Sequence, residues 1–471
     1  MASTNSLGDV AVLGLGKTGL GVASYLADLL GTRVSSVTLY GGLRSKQDQE
    51  SLALERRGVR VVYGSESLEG TYDLAVASPG IPQDSPFFQS ALAHAKATIG
   101  EPEFAWRESP ERWVAITGTN GKTTTTLLVT ELLQVGGLVA SAVGNVGTVA
   151  TGEVAKRAEG SWFVAELSSF QLATSSQLRP RVACLLNVTP DHLEWHGSME
   201  AYAAAKERVF AQMAGDDLAV VSVEDQWCRA VASRLEKRGI RVCRVSVHGE
   251  QDSPDAAFVR DGRLVVRNKG TEHTLILTQN LSIRGDHNVQ NALVAAATAV
   301  ELGVSEDAVS HGLMSFHPLE HRIEPCGSAG GVQYVNDSKA TNVDSVEKAL
   351  TAFVPGKVIV LLGGHDKGTT LATLAHAVSS RCKAAVCYGE AGPRIAEALR
   401  AEDGDMGLVV RQAPHMLEAL EEARSLAQPG DVVLLSPACS SFDEFGNYQQ
   451  RGRRFKELVA ELIAREGEAD E

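Results

Sequence analysis

Residues 113–126 read WVAITGTNGKTTTT. An apolar run leads straight into a glycine-rich turn, and the turn into a stretch that reads as a helix. Apolar residues without alternation suit a strand buried on both faces, as in a parallel sheet. Parallel strands need crossover connections, so this one segment commits the chain to strand–helix units with helices covering the sheet. The turn carries a second implication. Gly118, Thr119, Asn120 and Gly121 can aim backbone N–H groups at an anion beside a helix start, with Thr124 in the first helical turn. Lys122 is placed to reach terminal phosphates, and the Thr123 hydroxyl to meet Mg²⁺. The usual phosphate loop has four residues between its glycines; here Ile116 stands where the first glycine would be.

The strand–helix alternation recurs along all 471 residues, too many for one ordinary core of roughly 100–200 residues. Three blocks are expected: 1–100, 101–317 and 318–471. The first shows strand patterns at 10–13, 33–40, 59–63 and 74–77, with a helix over 18–29. In the second, strands are expected at 113–117, 162–167 and 182–187. A small antiparallel addition is expected from 258–266 with 274–278, and a helix over 286–302. The third reads as strands at 332–336, 357–362, 384–388 and 432–435, separated by helices. The predicted class is α/β: three domains, each on a mostly parallel sheet, with Rossmann-like outer domains and a P-loop ATPase-like centre.

A net charge of −14 argues against non-specific nucleic-acid binding, which needs a basic surface. An anionic substrate must instead be held by local cations, N–H groups or a metal. Seven scattered cysteines without a CxxC pair suit a reducing compartment. The first residues lack the apolar run of a signal peptide, and no segment approaches the ~20 apolar residues of a membrane span. A cytoplasmic protein is expected.

GLGKTG at 14–19 matches GxGxxG between a strand and a helix. A nicotinamide dinucleotide site wants an acid at the end of the second strand, where Thr38, Leu39, Tyr40, Gly41 and Gly42 stand. A nicotinamide-dependent dehydrogenase would also leave GTNGKT unexplained. Gly14, Gly16, Lys17 and Thr18 are better suited to a nucleotide diphosphate. Gly19 is explained equally well by close helix–strand packing.

Further segments stand in order along the chain: ELSSFQL from Glu166, NVTPDHLEWH with Asp191 and His192, AYAAAKERVF with Lys206, and HNVQNAL with Asn288 and Asn291. His321 and Arg322 follow, then NDSKATN with Asp337, Lys339 and Thr341, and SPACSSFDEFGNYQQRG with Ser441 and Tyr448. Singly, each has a bland reading: Glu166 a solvated strand end, His192 a structural histidine, Lys206 a solvated helix residue, HNVQNAL a helix start, Cys439 a small buried side chain. Together and in this order they resemble the Mur ligase and folylpolyglutamate synthetase superfamily over nearly the whole chain. ELSSFQL, NDSKATN and SPAC…QQRG are similar to its D-glutamate-adding branch, and the DNPR stretch of the diaminopimelate- or lysine-adding enzymes has no counterpart.

The resemblance implies an ATP-dependent amide ligase of peptidoglycan precursor synthesis. It implies phosphorylation of the L-alanyl carboxylate of UDP-N-acetylmuramoyl-L-alanine, then attack on the acyl phosphate by the amine of D-glutamate. Lys122, Glu166, His192 and Lys206 are the implied catalytic group. Two Mg²⁺ ions are implied, with Thr123, Glu166, His192 and Lys206 as ligands, Lys206 carrying carbon dioxide as a carbamate. Asn288, Asn291, Arg322 and Asp337 would take the rest of ATP. Ser78, Pro79, Gly80, Asn145 and Ser168 would join the first-block turn around the UDP precursor, and Lys339, Thr341, Lys367, Ser441 and Tyr448 would take D-glutamate. A monomer whose domains close on the substrates is expected. Two positions depart from the family pattern. Leu39–Tyr40–Gly41 replaces a uracil-binding pair, leaving Tyr40 as a stacking candidate, and Tyr448 stands where Phe is frequent. A folylpolyglutamate synthetase-like ligase is the nearest alternative.

Overall fold

The protein is described by a computed structural model over residues 6–283, 285–316, 320–366, 368–403 and 407–469. The chain divides into two compact units. One runs to Asn280 and takes in Gln290–Ser315; the other joins Leu281–Val289 to the chain from Phe316 onward. Among the described residues the strands form three sheets, of five, nine and six strands.

The first unit holds two of them. The five-stranded sheet is parallel, in the order Arg60–Val62, Val34–Tyr40, Gly8–Leu13, Leu74–Ala77, Thr98–Gly100. Chain order reverses at Gly8–Leu13, so a crevice opens beyond its carboxyl end, where such sheets bind ligands. The GLGKTG turn lies there.

The nine-stranded sheet has Trp113–Thr117 in its interior, between Val182–Leu185 and Trp162–Glu166. All five residues of Trp113–Thr117 are buried. Trp113 packs edge-on against Phe163 at 5.2 Å between centroids, a geometry that matches ring edge to ring face. The carboxyl ends of these three neighbours carry the Gly118 turn, Glu166 and the 187–192 segment.

The antiparallel addition differs from its expectation. Residues 258–266 do not form one strand: the chain turns at Asp261 and Gly262, both at positive φ, and pairs Ala256–Arg260 with Arg263–Asn268. Asp-Gly is the two-residue hairpin signal of a type I′ turn. A second such turn at Lys269 and Gly270 leads into Thr271–Leu277. Three parallel strands of this sheet, Ala140–Gly144, Leu218–Ser222 and Arg241–Ser246, escape the sequence reading. The last carries arginines that look out of place in a sheet, but Arg241 is neutralised by Asp255 and Glu301, and Arg244 by Glu236.

The second unit carries the six-stranded sheet, in the order Glu324–Ala329, Val332–Asn336, Val432–Ala438, Val358–Gly363, Cys382–Tyr388, Val409–Ala413. The first pair is antiparallel and the rest parallel. Apolar layers cover both faces, with Leu362 and Leu434 on one and Ile359 and Leu435 on the other. Among the described residues no helix is long and apolar enough to cross a membrane.

Candidate active site

The turn after Trp113–Thr117 is built around two left-handed glycines, Gly118 and Gly121. A Cβ on Gly121 would press on the Asn291 amide, and one on Gly118 would crowd Leu186. The Asn187 side chain braces the loop, its Oδ1 accepting from the N–H groups of Thr119 (3.1 Å) and Asn120 (2.8 Å). The helix Lys122–Val135 then starts without a side-chain cap, so its positive end is directed at the site, with Thr123 and Thr124 in its first turn.

Two ammonium groups converge on this turn. Lys122 Nζ donates to the carbonyls of Gly118 (2.9 Å) and Thr119 (2.8 Å), and Lys206 Nζ donates to the same Gly118 carbonyl at 2.7 Å. Lys206 is only 1% exposed. Burial, and then the nearby Lys122 charge, hold its pKa well below the usual lysine value, while Asp191, Cys228 and Glu166 act in the opposite direction. The solvated-helix reading of Lys206 is therefore overturned. The reason is geometric: Met199–Glu207 packs the Tyr202–Lys206 face inward, and the Lys206 ammonium lies 4.4 Å from the Tyr202 ring centroid.

Glu166 ends its strand as expected and is 1% exposed, so it is no solvated strand end. Its Oε1 accepts from Asn145 Nδ2 at 2.7 Å, whereas Oε2 is buried with no hydrogen-bond partner. A buried carboxylate oxygen without a donor is costly, and a cation answers that cost. The donor set here, a carboxylate and hydroxyls, is the hard-oxygen kind that suits Mg²⁺. Among the described residues no three His, Cys, Asp or Glu side chains gather to hold a metal. The remaining ligands would thus come from phosphate oxygens, hydroxyls or a modified lysine.

His192 sits at positive φ and starts the short helix Leu193–His196. Its ring is half-exposed, 3.6 Å from the Asp191 carboxylate through Nε2 and 4.9 Å from the Phe170 ring centroid. Two contributors lie outside the sequence-derived set. Tyr202 joins its hydroxyl to Thr119 Oγ1 at 3.1 Å as well as underlying Lys206. Asn187 holds the loop. Spacing could have found the first, because Tyr202 and Lys206 are four apart on one helix face.

At the GLGKTG turn, the three glycines divide by cause. Gly19 has no room for a Cβ, which would overlap the Gly14 carbonyl oxygen. Gly14 is at positive φ against Ser78, while Gly16 starts the helix Lys17–Ala27, which contains Thr18, in open space. Gly16 is thus the one that close packing does not require. Lys17 Nζ donates to the Gly147 carbonyl. Ser78 Oγ is buried without a partner, and Pro79 and Gly80 follow it in the turn, with open space at Gly80. Ser168 already uses its hydroxyl as the cap of Ser169–Ala173, in a reciprocal box with Gln171. Tyr40 is corrected as a stacking candidate: it is 1% exposed, faces into the sheet and bonds the Tyr72 hydroxyl at 2.8 Å. A ring so buried has no face to offer a base.

Asn288 and Asn291 lie largely buried on the helix Asp286–Glu301. In the second unit, Asp337 is buried, and desolvation pushes its carboxyl up to about 7 despite a 2.7 Å hydrogen bond from Ser436 and the nearby Arg322 and Arg451 charges. Its Oδ1 accepts from the Ile323 N–H at 3.3 Å, tying down the chain after Arg322. The Lys339 ammonium lies 4.1 Å from the centroid of the Tyr448 ring, at the start of Tyr448–Ala469. Thr341 follows in the same loop, and Ser441 is buried in the loop after Val432–Ala438. Cys439 is buried, as its bland reading held. Lys367 lies outside the described residues.

The Mur ligase middle domain matches residues 116–299, and the Mur ligase, glutamate ligase domain matches 321–439. The chain is 38% identical over 461 residues, 97% of its length, to the UDP-N-acetylmuramoylalanine–D-glutamate ligase of Koribacter versatilis, and covers 98% of that protein. It is 39% identical to the enzyme of that name from Acidobacterium capsulatum, covering 96% of this chain and 95% of the relative. Its fold is similar to a solved pseudomurein peptide ligase type C from Methanothermus fervidus (TM-score 0.59, 17% identity, 96% and 99% covered). It is also similar to a UDP-N-acetylmuramate-alanine ligase from Thermotoga maritima (TM-score 0.57, 19% identity, 96% and 99% covered). With both domain matches in sequence order and relatives aligned almost end to end, the chain belongs to the Mur ligase family.

Proposed function

We propose that the protein is an ATP- and Mg²⁺-dependent ligase that joins D-glutamate to UDP-N-acetylmuramoyl-L-alanine through an acyl phosphate. The observation that carries the reading is the pair of lysines, Lys122 and buried Lys206, on the Gly118 carbonyl beside a buried, half-satisfied Glu166. The names of its near-full-length relatives supply the substrates. In this reading residues 1–100 take the UDP precursor, 101–317 the ATP phosphates, and 318–471 D-glutamate.

Joining a carboxylate to an amine is uphill in water, so the carboxylate is first made electrophilic. The alanyl carboxylate takes the γ-phosphoryl group and ADP leaves; the amine of D-glutamate then adds to the acyl carbon, and phosphate is expelled. Attack of one anion on another requires neutralisation. Lys122 and the start of Lys122–Val135 supply it at the β- and γ-phosphates. Asn288, Asn291, Arg322 and Asp337 are assigned to the rest of ATP. Gly14, Gly16, Lys17, Thr18, Ser78, Pro79, Gly80, Asn145 and Ser168 are assigned to the precursor. Lys339, Thr341, Lys367, Ser441 and Tyr448 are assigned to D-glutamate.

Two Mg²⁺ ions would be held by Thr123 and Glu166, and by His192 and Lys206 as a carbamate; they would supply further neutralisation of phosphate and carboxylate charge. The depressed pKa of Lys206 supports the carbamate, because carbon dioxide combines with a neutral amine. The seven cysteines are free thiols, which suits a cytoplasmic site of action, and we take the monomer as the working form.

The test is an acceptor screen with purified protein, ATP, Mg²⁺ and the UDP-muramoyl-alanine precursor. D-glutamate should stimulate phosphate release where other amino acids and folates do not. Lys122→Ala should lower that rate by ~10²-fold or more with the fold retained. Stimulation by a folate acceptor, or near-normal turnover of Lys122→Ala, would sink the reading.

A further inference from the structure

We infer that Arg394 is a positioning residue for the acceptor amino acid: it fixes Asp366 and Thr369 beside the end of Val358–Gly363 and so sets the affinity for D-glutamate. The inference rests on the reading of the second unit as the D-glutamate site. Arg394 lies on the helix Gly392–Asp403, away in sequence from every motif of the site. Its guanidinium grips Asp366 with two parallel bonds, Nε to Oδ2 at 2.7 Å and Nη2 to Oδ1 at 2.6 Å. Its remaining arm, Nη1, donates to the Thr369 carbonyl at 2.9 Å. Asp366 Oδ1 also accepts from the Gly368 N–H at 2.8 Å, so one carboxylate both folds the turn and receives the fork.

The chain leaves the carboxyl end of Val358–Gly363, an interior strand paired in parallel on both sides, where α/β folds place their ligands. Its near end is fixed by the backbone. The Gly364 carbonyl accepts from the Ala391 N–H, and the His365 N–H donates to the Ser440 carbonyl, each at 2.9 Å. A Cβ on Gly364 would collide with Ser440, whose neighbour Ser441 is assigned to the acceptor. Beyond His365, among the described residues, Arg394 bonds both the Asp366 carboxylate and the Thr369 carbonyl. An isolated surface ion pair contributes little. This pair is only partly exposed, at 38% for Arg394 and 22% for Asp366, and its two-pronged geometry fixes orientation as well as distance. If Arg394 were merely stapling its helix to a loop, substitution would lower stability and leave acceptor recognition alone.

The experiment uses the full-length enzyme with ATP and precursor saturating, and measures phosphate release against D-glutamate concentration. For Arg394→Met the KM for D-glutamate should rise roughly tenfold, the scale of one lost charge-assisted contact, with kcat and the KM for ATP nearly unchanged. Arg394→Lys should fall between, because it keeps the charge but not the fork. Asp366→Asn should show the same split, and the double variant should be no worse than either single one. The inference is overturned if Arg394→Met leaves the D-glutamate KM unchanged, or if both KM values rise together as the melting temperature drops. Ser441→Ala and Thr341→Val separate the two levels. If they raise the D-glutamate KM and Arg394→Met does not, this inference fails and the acceptor site stands. If none of the three does, both fail.

Discussion

Burial changes what the Lys206 and Asp337 side chains can do. Desolvation, and then the Lys122 charge, hold the Lys206 amine well below the usual lysine pKa. Removing it should abolish most turnover, and a short carboxylate such as acetate should partly restore Lys206→Ala by filling the vacated space with oxygen ligands. Normal activity of Lys206→Ala at saturating Mg²⁺ would end the carbamate reading. Asp337 gives a pH prediction. Its folded carboxyl titrates at about 7, against an ordinary value of 3.8. Between those values the folded state holds a proton that the unfolded state has lost, so this group's contribution to stability falls as pH rises. The contribution is complete below the lower value and gone above the upper one. In denaturant titrations between about pH 4 and 7, Asp337→Asn should remove that downward slope. A slope identical to wild type would mean that Asp337 ionises freely.

Among elements, the helix Lys17–Ala27 depends on one missing Cβ. Gly19 rests directly on the Gly14 carbonyl, so Gly19→Ala must push the helix off its strand. Such overpacking typically costs ~1–3 kcal/mol. The melting temperature and the KM for the UDP precursor should both suffer, with the KM for ATP unchanged. If Gly19→Ala is as stable as wild type with an unaltered precursor KM, close packing is not what glycine serves there. Strand elements were the more legible. The runs Leu74–Ala77, Trp113–Thr117 and Val332–Asn336 fall where their apolar patterns put them. The missed hairpin had a local signal, Asp261-Gly262, masked by apolar residues on both sides. Arg241–Ser246 had none, because one carboxylate that neutralises Arg241, Glu301, lies on a helix remote in sequence.

For the whole molecule, ligand binding is read out as stability. ATP with Mg²⁺ should raise the melting temperature, by linkage worth about 2.7 kcal/mol at a hundred times Kd. Chelating the metal, or substituting Lys122→Ala, should remove most of that shift. An equal shift in chelator would exclude the metal from nucleotide binding. The fold itself does not choose the amino acid, since similar folds below 20% identity carry ligases of other names. The sequence alone determined the α/β class, the glycine-rich turn before Lys122–Val135 and the ordered motifs of the family, because strand burial, glycine turns and helix starts are local chemistry. Only the tertiary structure decided that Lys206 is buried rather than solvated, that one oxygen of Glu166 lacks a donor, that Tyr40 faces the core and that Arg394 grips Asp366. Each of these depends on which distant segment fills the space beside a side chain, and burial, unlike strand or turn preference, is a property of that neighbour as much as of the residue.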